Sequence, residues 1–338
     1  MPNNPLVNPS LASIALLCLF LHACSESESP ALRADAETEI EPTLTAKTPF
    51  LKLLTPAETG VDFQNTIFDD EDDNFITNFY KFNGGGVAIA DVNNDGLQDI
   101  YFVSTNGKDG LYLNEGNLKF KNIAETAGVS SEEGVETAVT TVDINTDGWI
   151  DFYVCRAGVK NNEARRNKLY VNNGNLTFTE RAKEYGLDDI SPSTGANFFD
   201  YDNDGDLDLY LLTYPTSSDV PNLTESDLAP DGKTRIPKLK PRGPLDTHRF
   251  YQNDGGKFKD VSEKAGIQTY HWGLSISVSD LNRDGWQDAY VGVDFLQPDI
   301  LYMNNKNGTF TDQLTKYFQH TARHTMGADL TAFDNDGH

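Results

Sequence analysis

An acidic nine-residue pattern recurs along this chain and limits what the chain can fold into. The densest copy runs from Asp200 to Asp208 and reads Asp-Tyr-Asp-Asn-Asp-Gly-Asp-Leu-Asp. Two like charges about 4 Å apart repel by about 1 kcal/mol in water and by about 4 kcal/mol at an effective dielectric of about 20. A hard divalent cation would turn these repelling groups into ligands, because carboxylate and carbonyl oxygens suit calcium.

Three further copies keep the same spacing, with Asp or Asn at positions 1, 3, 5 and 9 and a turn-forming glycine at position 6. The predicted side-chain ligands are Asp91, Asn93, Asp95 and Asp99, then Asp143, Asn145, Asp147 and Asp151, then Asp200, Asp202, Asp204 and Asp208, and finally Asp280, Asn282, Asp284 and Asp288. The predicted backbone-carbonyl ligands, at position 7, belong to Leu97, Trp149, Asp206 and Trp286. Four copies in phase predict structural calcium, about one ion per complete loop.

The EF-hand begins with a similar pattern, but two features exclude it. An EF-hand needs a bidentate Glu at position 12 and a helix on each side. Position 12 here is apolar, occupied by Phe102, Val154, Leu211 and Val291. The segment after each loop is short, apolar and rich in β-forming residues, so each loop is predicted to join two strands.

Each acidic loop belongs to a longer repeated unit. A Gly/Ala-rich strand enters the loop, a second strand leaves it, a third ends in Asn, and a fourth contains a fixed Phe. The third-strand asparagines are Asn114, Asn172, Asn253 and Asn304, and the fourth-strand phenylalanines are Phe120, Phe178, Phe258 and Phe310. Four antiparallel strands in about 50 residues is the size of a propeller blade. The fold class predicted is therefore an all-β propeller, with four blades and the start of a fifth at Met326.

The N-terminal residues predict export and a lipid anchor. Residues 11–23 form an apolar run of signal-peptide length that ends in Leu21-His22-Ala23-Cys24, which resembles a bacterial lipobox. We expect residues 1–23 to be a lipoprotein signal peptide, with plain secretion as the alternative, and Cys24 to carry the lipid. Residues 24–48 are acidic and polar and predict a disordered tether. The predicted location is the cell envelope, as an outer-membrane lipoprotein facing the periplasm or the cell surface.

The propeller is predicted to span residues 49–338, with an inserted loop at 214–248 that interrupts the third blade after its second strand. The insertion contains a basic cluster between Lys233 and Arg242. A loop of this length is usually functional or disordered. It is interpreted either as a rim that touches a ligand or as a variable surface excursion.

Charge and cysteine content narrow the classes of function. The chain of 338 residues has 52 acidic against 27 basic residues and a net charge of -25, which argues against binding a nucleic-acid backbone. Its membrane contact is predicted to be the lipid anchor alone. With three cysteines, two of them in the N-terminal segment, no disulfide framework is expected, and Cys155 is predicted to be a buried packing residue.

These motifs resemble the FG-GAP/VCBS repeat family, which includes the propeller head of integrin α subunits. The resemblance rests on Asn83-Gly84-Gly85-Gly86-Val87-Ala88, on the loop 200–208 with Phe199 before it, and on Pro298-Asp299-Ile300-Leu301-Tyr302-Met303-Asn304. Within the family the chain most resembles bacterial VCBS-repeat lipoproteins related to cartilage acidic protein, which often carry an ASPIC/UnbV module. The resemblance covers about residues 57–338 and implies the propeller fold and its calcium loops, with closure at seven blades.

Two functions remain open on the sequence alone. The first is a calcium-stabilised binding or adhesion module for a protein or glycan ligand. The second is a propeller-fold lyase or hydrolase acting on extracellular polysaccharide. No Ser, Cys or His constellation with catalytic spacing is present in the sequence, so no catalytic residue is assigned.

Overall fold

The computed structural model describes residues 51–71, 74, 79–131, 134–158, 162–215, 226–228, 235–237, 244–294, 297–322 and 324–331. The predicted signal peptide, Cys24 and the tether lie outside the described residues, as do most of the insertion and the last acidic loop, Asp334–His338. Inside the insertion, β11 (Ser226–Leu228) pairs with β12 (Arg235–Pro237).

Among the described residues, four four-stranded antiparallel sheets follow one another in sequence, and we call them blades 1 to 4. Blade 1 is β1 (Val87–Ala90), β2 (Asp99–Phe102), β3 (Gly110–Asn114) and β4 (Phe120–Asn122). Blade 2 is β5 (Val135–Val142), β6 (Asp151–Ala157), β7 (Lys168–Asn172) and β8 (Phe178–Glu180). Blade 3 is β9 (Ser193–Phe199), β10 (Asp208–Thr213), β13 (Arg249–Asn253) and β14 (Phe258–Asp260). Blade 4 is β15 (Trp272–Ser279), β16 (Asp288–Asp294), β17 (Ile300–Asn304) and β18 (Phe310–Asp312).

The blades stack face to face through apolar layers. The first strands β1, β5, β9 and β15 contact one another in that order, so they form the inner row. Side chains alternate between the two faces of a strand, which lets one blade pack on both neighbours. In β6, for example, Phe152 and Val154 pack against blade 1, whereas Tyr153 and Cys155 pack against blade 3. A third layer joins blades 3 and 4. The predicted all-β propeller of four-stranded antiparallel blades is confirmed for the described residues.

One-turn helices accompany the strands. They are α1 (Pro56–Thr59), α2 (Ala124–Ala127), α3 (Ala182–Tyr185), α4 (Ser262–Ala265) and α5 (Leu314–Tyr317), with 3-10 turns at Phe79–Asn83, Glu163–Arg165 and Pro244–Asp246. Helices α2 to α4 each follow the outer strand of a blade and end at a left-handed glycine. Within the described part of the chain, no helix combines the length and apolarity needed to cross a bilayer.

The segment before blade 1 lies across that blade's outward face. The Phe63 ring stacks on Phe102, with centroids 4.7 Å apart and planes 9° from parallel. The Tyr112 hydroxyl donates to Asp62 at 2.7 Å. The Asn65 side chain accepts the backbone N–H of Thr105 at 2.8 Å. This segment therefore fixes the loop between β2 and β3, and it forms one wall of the groove described below.

Candidate metal centres at the blade corners

Each acidic loop joins the first two strands of a blade, as the sequence predicted, and we call residues 91–99, 143–151, 200–208 and 280–288 corner loops 1 to 4. The backbone is left-handed at two places in every loop. Position 4 has φ between 56° and 60° in Asn94, Thr146, Asn203 and Arg283. The position-6 glycines Gly96, Gly148, Gly205 and Gly285 have φ between 83° and 95°. Glycine suits position 6 because a side chain there would be strained.

The predicted ligands at positions 1 and 5 also hold the turn. At position 1, one carboxylate oxygen accepts the N–H of position 5 and the other accepts the N–H of position 6. In corner loop 1 these bonds run from Asp95 and Gly96 to Asp91, at 3.1 and 2.7 Å. The position-5 carboxylate accepts the N–H of position 7, as in the 2.8 Å bond from Leu97 to Asp95. The same bonds recur in the other three loops. A carboxylate oxygen has a second lone pair, so these bonds leave capacity for a cation.

The position-9 aspartate is buried in every blade. By two hydrogen bonds, which we call the clasp, it connects the start of the corner loop to the end of the third strand. One oxygen accepts the N–H of position 2, and the other accepts the N–H of the asparagine that ends the third strand. The eight bonds are 2.7–3.2 Å long and are made by Asp99, Asp151, Asp208 and Asp288. This structural role was not part of the sequence prediction, because it depends on the strand register.

Burial raises the pKa of all four position-9 carboxyls. The two backbone N–H groups oppose this rise, and neighbouring loop carboxylates reinforce it. The pKa reaches about 6 in Asp151 and about 7 in Asp208. A cation nearby would favour the ionised form and reverse the shift.

Corner loop 3 has the geometry of a cation site. One carboxylate oxygen from each of Asp200, Asp202 and Asp208 lies within 4.8 Å of the others. Oδ1 of Asp202 is buried and has no hydrogen-bond partner, while Oδ2 accepts from Gln252 at 2.8 Å. An orphaned carboxylate oxygen beside two further carboxylates matches the all-oxygen donor set of calcium. The residues present therefore fit the ion.

The other three loops differ at position 3, where asparagine replaces aspartate. In corner loops 1 and 2 its amide donates to the position-5 carboxylate, from Asn93 to Asp95 at 2.9 Å and from Asn145 to Asp147 at 2.8 Å. In corner loop 4, Nζ of Lys306 lies 3.2 Å from Asp284. Among the described residues, corner loop 3 holds the one cluster of three such acidic side chains. The carbonyl ligands at position 7 stay a prediction.

The opposite edge of the blades carries a second repeated feature that sequence reasoning missed. Five residues before the third-strand asparagine, a buried side chain accepts a backbone N–H at the end of the second strand. The four acceptors are Asp109, Asn167, His248 and Asp299, at 2.8–3.1 Å. Their fixed offset from Asn114, Asn172, Asn253 and Asn304 was readable, but three residue types fill the position and hide the repeat.

Two ionisable clusters lie at this opposite edge. Between blades 1 and 2, burial raises the pKa of Asp109 and of Glu136, whose oxygen lies 3.6 Å from Nε of Arg156 and 3.9 Å from Nζ of Lys168. Between blades 3 and 4, burial lowers the pKa of His248 to about 3 and that of His271 to about 4. Cys155 is fully buried, and burial raises its pKa, in accord with a packing role.

An open groove of about 610 Å³ lies at the opposite edge of blade 1. Its lining includes the aromatic residues Phe63, Phe68 and Tyr112 and the charged residues Lys108, Asp109 and Glu125. Phe68 is 66% exposed, and Lys108 pairs with Glu125 at 2.8 Å. Ligand pockets typically measure about 300–1,000 Å³, so the groove is large enough for a ligand, and its walls are more polar than those of a typical pocket.

Comparisons with known proteins agree with these motifs. Residues 91–154 and 143–211 match the FG-GAP-like repeat. Cartilage acidic protein 1 is similar, with 31% identity over 133 residues in Homo sapiens and 28% over 136 residues in Xenopus tropicalis. These alignments cover 38% and 39% of this chain, and they span only 20% of each relative. The predicted family resemblance is confirmed.

A solved structure on the recognition of non-reducing terminal N-acetylglucosamine by an Agrocybe aegerita lectin is also similar. It has a TM-score of 0.35 and 16% identity, over 67% of this chain and 50% of that one. A TM-score of this size bears on neither the fold nor the ligand.

Proposed function

We propose that this chain, whose residues 91–211 match FG-GAP-like repeats, is a calcium-stabilised β-propeller, anchored in the cell envelope, that binds a protein or glycan ligand. Calcium is structural in this proposal, and its predicted ligands are those of the four corner loops. The ligand site is placed away from the corners, where the blades differ from one another.

The observation that carries the calcium role is the buried, unpartnered oxygen of Asp202 among the carboxylates of corner loop 3. A buried carboxylate oxygen without a partner costs free energy, and a divalent cation would satisfy it. If a loop binds with a dissociation constant of about 10⁻⁴ M, millimolar calcium adds about 1.4 kcal/mol per loop. Over four loops this sum rivals the whole net stability of a domain.

Calorimetric titration of the purified full-length chain with calcium tests this role. We expect heat of binding for about one ion per loop, and a melting temperature that falls in EDTA. A chain that gives no heat and melts at the same temperature in calcium and in EDTA would contradict the proposal.

The envelope anchor rests on the sequence Leu21-His22-Ala23-Cys24. Expression of the complete chain in a Gram-negative host, followed by membrane fractionation, tests it. We expect Cys24→Ser to move the protein from the membrane fraction to the soluble fraction or to leave it unprocessed. A wild-type chain already found in the soluble fraction would favour plain secretion.

The groove on blade 1 is the proposed ligand site. A sugar ring presents an apolar C–H face and several hydroxyl groups, which match an aromatic wall flanked by carboxylates and an amide. A glycan array and a pull-down with the purified chain would identify the ligand. We expect Phe68→Ala to weaken binding, whereas Phe318→Ala, which removes an exposed aromatic outside the groove lining, should not. Equal binding by both variants would place the site elsewhere.

One observation favours the enzyme alternative. Burial and the neighbouring Glu136 raise the pKa of Asp109, a carboxyl that lines the groove, and carboxyls with raised pKa values are common at catalytic sites. Incubation with extracellular polysaccharides and assay for new chain ends tests this alternative. Turnover that Asp109→Asn abolishes would establish an enzyme, and absence of turnover on a glycan that the chain binds would leave the binding module.

A further inference from the structure

We infer that the calcium loops work as two coupled pairs, corner loops 1 with 2 and 3 with 4, and that loops 2 and 3 are uncoupled. The inference rests on the proposed calcium role and concerns how ions at neighbouring corners influence each other. It is carried by hydrogen bonds that cross two of the three seams between blades.

In the first pair, three hydrogen bonds connect a predicted ligand of one loop to a predicted ligand of the next. Asp99 of corner loop 1 accepts the N–H of Val92 at 2.9 Å. The carbonyl of Val92 accepts Nδ2 of Asn172 in blade 2 at 2.9 Å. The backbone N–H of Asn172 in turn donates to Asp151 of corner loop 2 at 2.7 Å. The two position-9 carboxylates are thus joined through the backbone of one residue, Val92, and through one asparagine, Asn172.

The second pair repeats this series of three hydrogen bonds, which we call the relay. Asp208 accepts the N–H of Tyr201 at 3.2 Å, and the carbonyl of Tyr201 accepts Nδ2 of Asn304 at 2.8 Å. The N–H of Asn304 donates to Asp288 at 2.8 Å.

A second bond also crosses each of these seams, between the tips of the paired loops. The position-4 asparagine donates to the position-6 carbonyl of the partner loop, from Asn94 to Gly148 and from Asn203 to Gly285, each at 3.1 Å. Each pair is therefore held at two points.

The seam between corner loops 2 and 3 lacks both connections. Position 4 of loop 2 is Thr146, whose hydroxyl donates to the adjacent carbonyl of Asn145 at 2.8 Å. The equivalent of Asn172 is Asn253, whose Nδ2 donates to Leu207 of its own blade at 3.2 Å. The relay from Asp151 toward blade 3 therefore ends at the N–H of Ile144.

Coupling follows from ordering. An ion at one corner fixes its position-9 carboxylate, and the relay then fixes the carboxylate of the paired loop. Less conformational entropy is therefore lost when the second ion binds. By linkage the effect is reciprocal. A hydrogen bond contributes about 0.5–1.5 kcal/mol, which corresponds to a change in affinity of about 2- to 12-fold.

The sequence supplies a reporter for each pair. Trp149 lies at position 7 of corner loop 2 and Trp286 at position 7 of corner loop 4, whereas loops 1 and 3 carry Leu97 and Asp206 there. Terbium bound beside a tryptophan emits on indole excitation, so terbium can stand in for calcium and report one loop at a time. Trp286→Phe leaves loop 2 as the reporting loop, and Trp149→Phe leaves loop 4.

The experiment disables one loop and measures another in the full-length chain. We expect Asp95→Ala, which removes a ligand from loop 1, to lower the terbium affinity of loop 2 by about 2- to 12-fold. Asp204→Ala in loop 3 should lower the affinity of loop 4 to a similar extent and leave that of loop 2 unchanged. Asn172→Ala should weaken the dependence of loop 2 on loop 1, and Asn253→Ala is its matched control, because it removes the same side chain without an inter-blade bond.

The outcomes separate this inference from the calcium role. If terbium binds loop 2 equally well with and without Asp95, the pairing is wrong and the calcium role stands. If Asp204→Ala weakens loop 2 as much as Asp95→Ala does, coupling runs around the whole ring and the pairing is again wrong. If calcium gives no heat and terbium no emission at any loop, the calcium role itself fails, and the pairing fails with it.

Discussion

At both edges of the blades, a buried side chain accepts backbone N–H groups, but the type of that side chain varies only at the edge opposite the corner loops. At the corner edge, Asp99, Asp151, Asp208 and Asp288 each accept two backbone N–H groups. At the opposite edge, Asp109, Asn167, His248 and Asp299 each accept one N–H at the end of the second strand, and Asp109 also accepts the N–H of Ser131 at 3.2 Å. The corner position is aspartate in all four blades, whereas the position at the opposite edge is Asp, Asn or His.

The difference indicates what each edge must provide. One good acceptor satisfies the N–H at the end of the second strand, so Asp, Asn and His can each occupy this position, and Asp109 uses its second oxygen for Ser131. The corner position must accept twice and, in our proposal, also ligate an ion, and a carboxylate combines these abilities. Chemical variety is therefore concentrated at the opposite edge, which is also where the groove of blade 1 lies.

The largest expected effect is at the corner. Asp208→Asn leaves a single acceptor oxygen for the N–H groups of Tyr201 and Asn253, so one buried N–H would face an amide NH2. We expect a loss of about 1–3 kcal/mol from the unsatisfied group in EDTA. Lost binding should add about 1.4 kcal/mol in millimolar calcium. Urea denaturation in the two buffers measures both, and a loss below 1 kcal/mol in each would remove the distinction between the edges.

A second prediction concerns acid stability at the opposite edge. Burial lowers the pKa of His248 from 6.5 to about 3, so between these values the unfolded chain binds a proton that the folded chain does not. Stability should therefore be complete above about pH 6.5 and fall as the pH drops, by about 2 kcal/mol at pH 5 from this group. His248→Asn, which copies Asn167 of blade 2, should retain that stability in a urea titration across pH.

His320 supplies the control for the acid series, because it is exposed. His320→Asn makes the same substitution at a surface position, and the effect of His248→Asn is measured against it. If His248→Asn and the wild-type chain lose the same stability between pH 7 and pH 5, the histidine at this edge does not titrate as its burial requires.

The third prediction separates calcium binding from turn formation within one loop. Asp204→Ala removes a predicted ligand of corner loop 3 and also the acceptor of the Asp206 N–H, so we expect it to cost about 0.5–1.5 kcal/mol in EDTA and about 1.4 kcal/mol more in millimolar calcium. Asp206→Ala in the same loop removes a carboxylate whose backbone, not its side chain, is the predicted ligand, so it should cost less in calcium. Thermal melting in both buffers measures the contrast. Equal losses in calcium and in EDTA for Asp204→Ala would count against a metal role.

The corner edge was largely predictable from sequence and the opposite edge was not. Asp, Asn and Gly at fixed spacing report a local turn, so the loops and the blade order could be read from residues 91–99 and their repeats. The clasp made by Asp208 depends on the register of β10 with β13, which no local pattern specifies. The groove requires Phe63 and Phe68 to meet a loop about 40 residues later, and that contact is decided by tertiary packing.

The smallest expected effect is Asp299→Asn, which brings the residue type of blade 2 into blade 4. In blade 2, Oδ1 of Asn167 accepts a backbone N–H, and Nδ2 donates to the hydroxyls of Tyr153 and Ser193, each at 3.0 Å. In blade 4, Oδ1 of Asp299 accepts the N–H of Val293, and Oδ2 accepts from the hydroxyls of Tyr290 and Thr325 at 2.6 and 3.0 Å.

Hydroxyl groups can reverse from donor to acceptor, so an amide at position 299 can keep all three bonds. We therefore expect Asp299→Asn to change the free energy of unfolding by less than about 1 kcal/mol, in calcium and in EDTA alike. The same exchange at Asp208 meets two backbone N–H groups that cannot reverse, and it should cost several times more. Urea denaturation of the two variants side by side measures the ratio, and equal losses would mean that both edges depend on a carboxylate for the same reason.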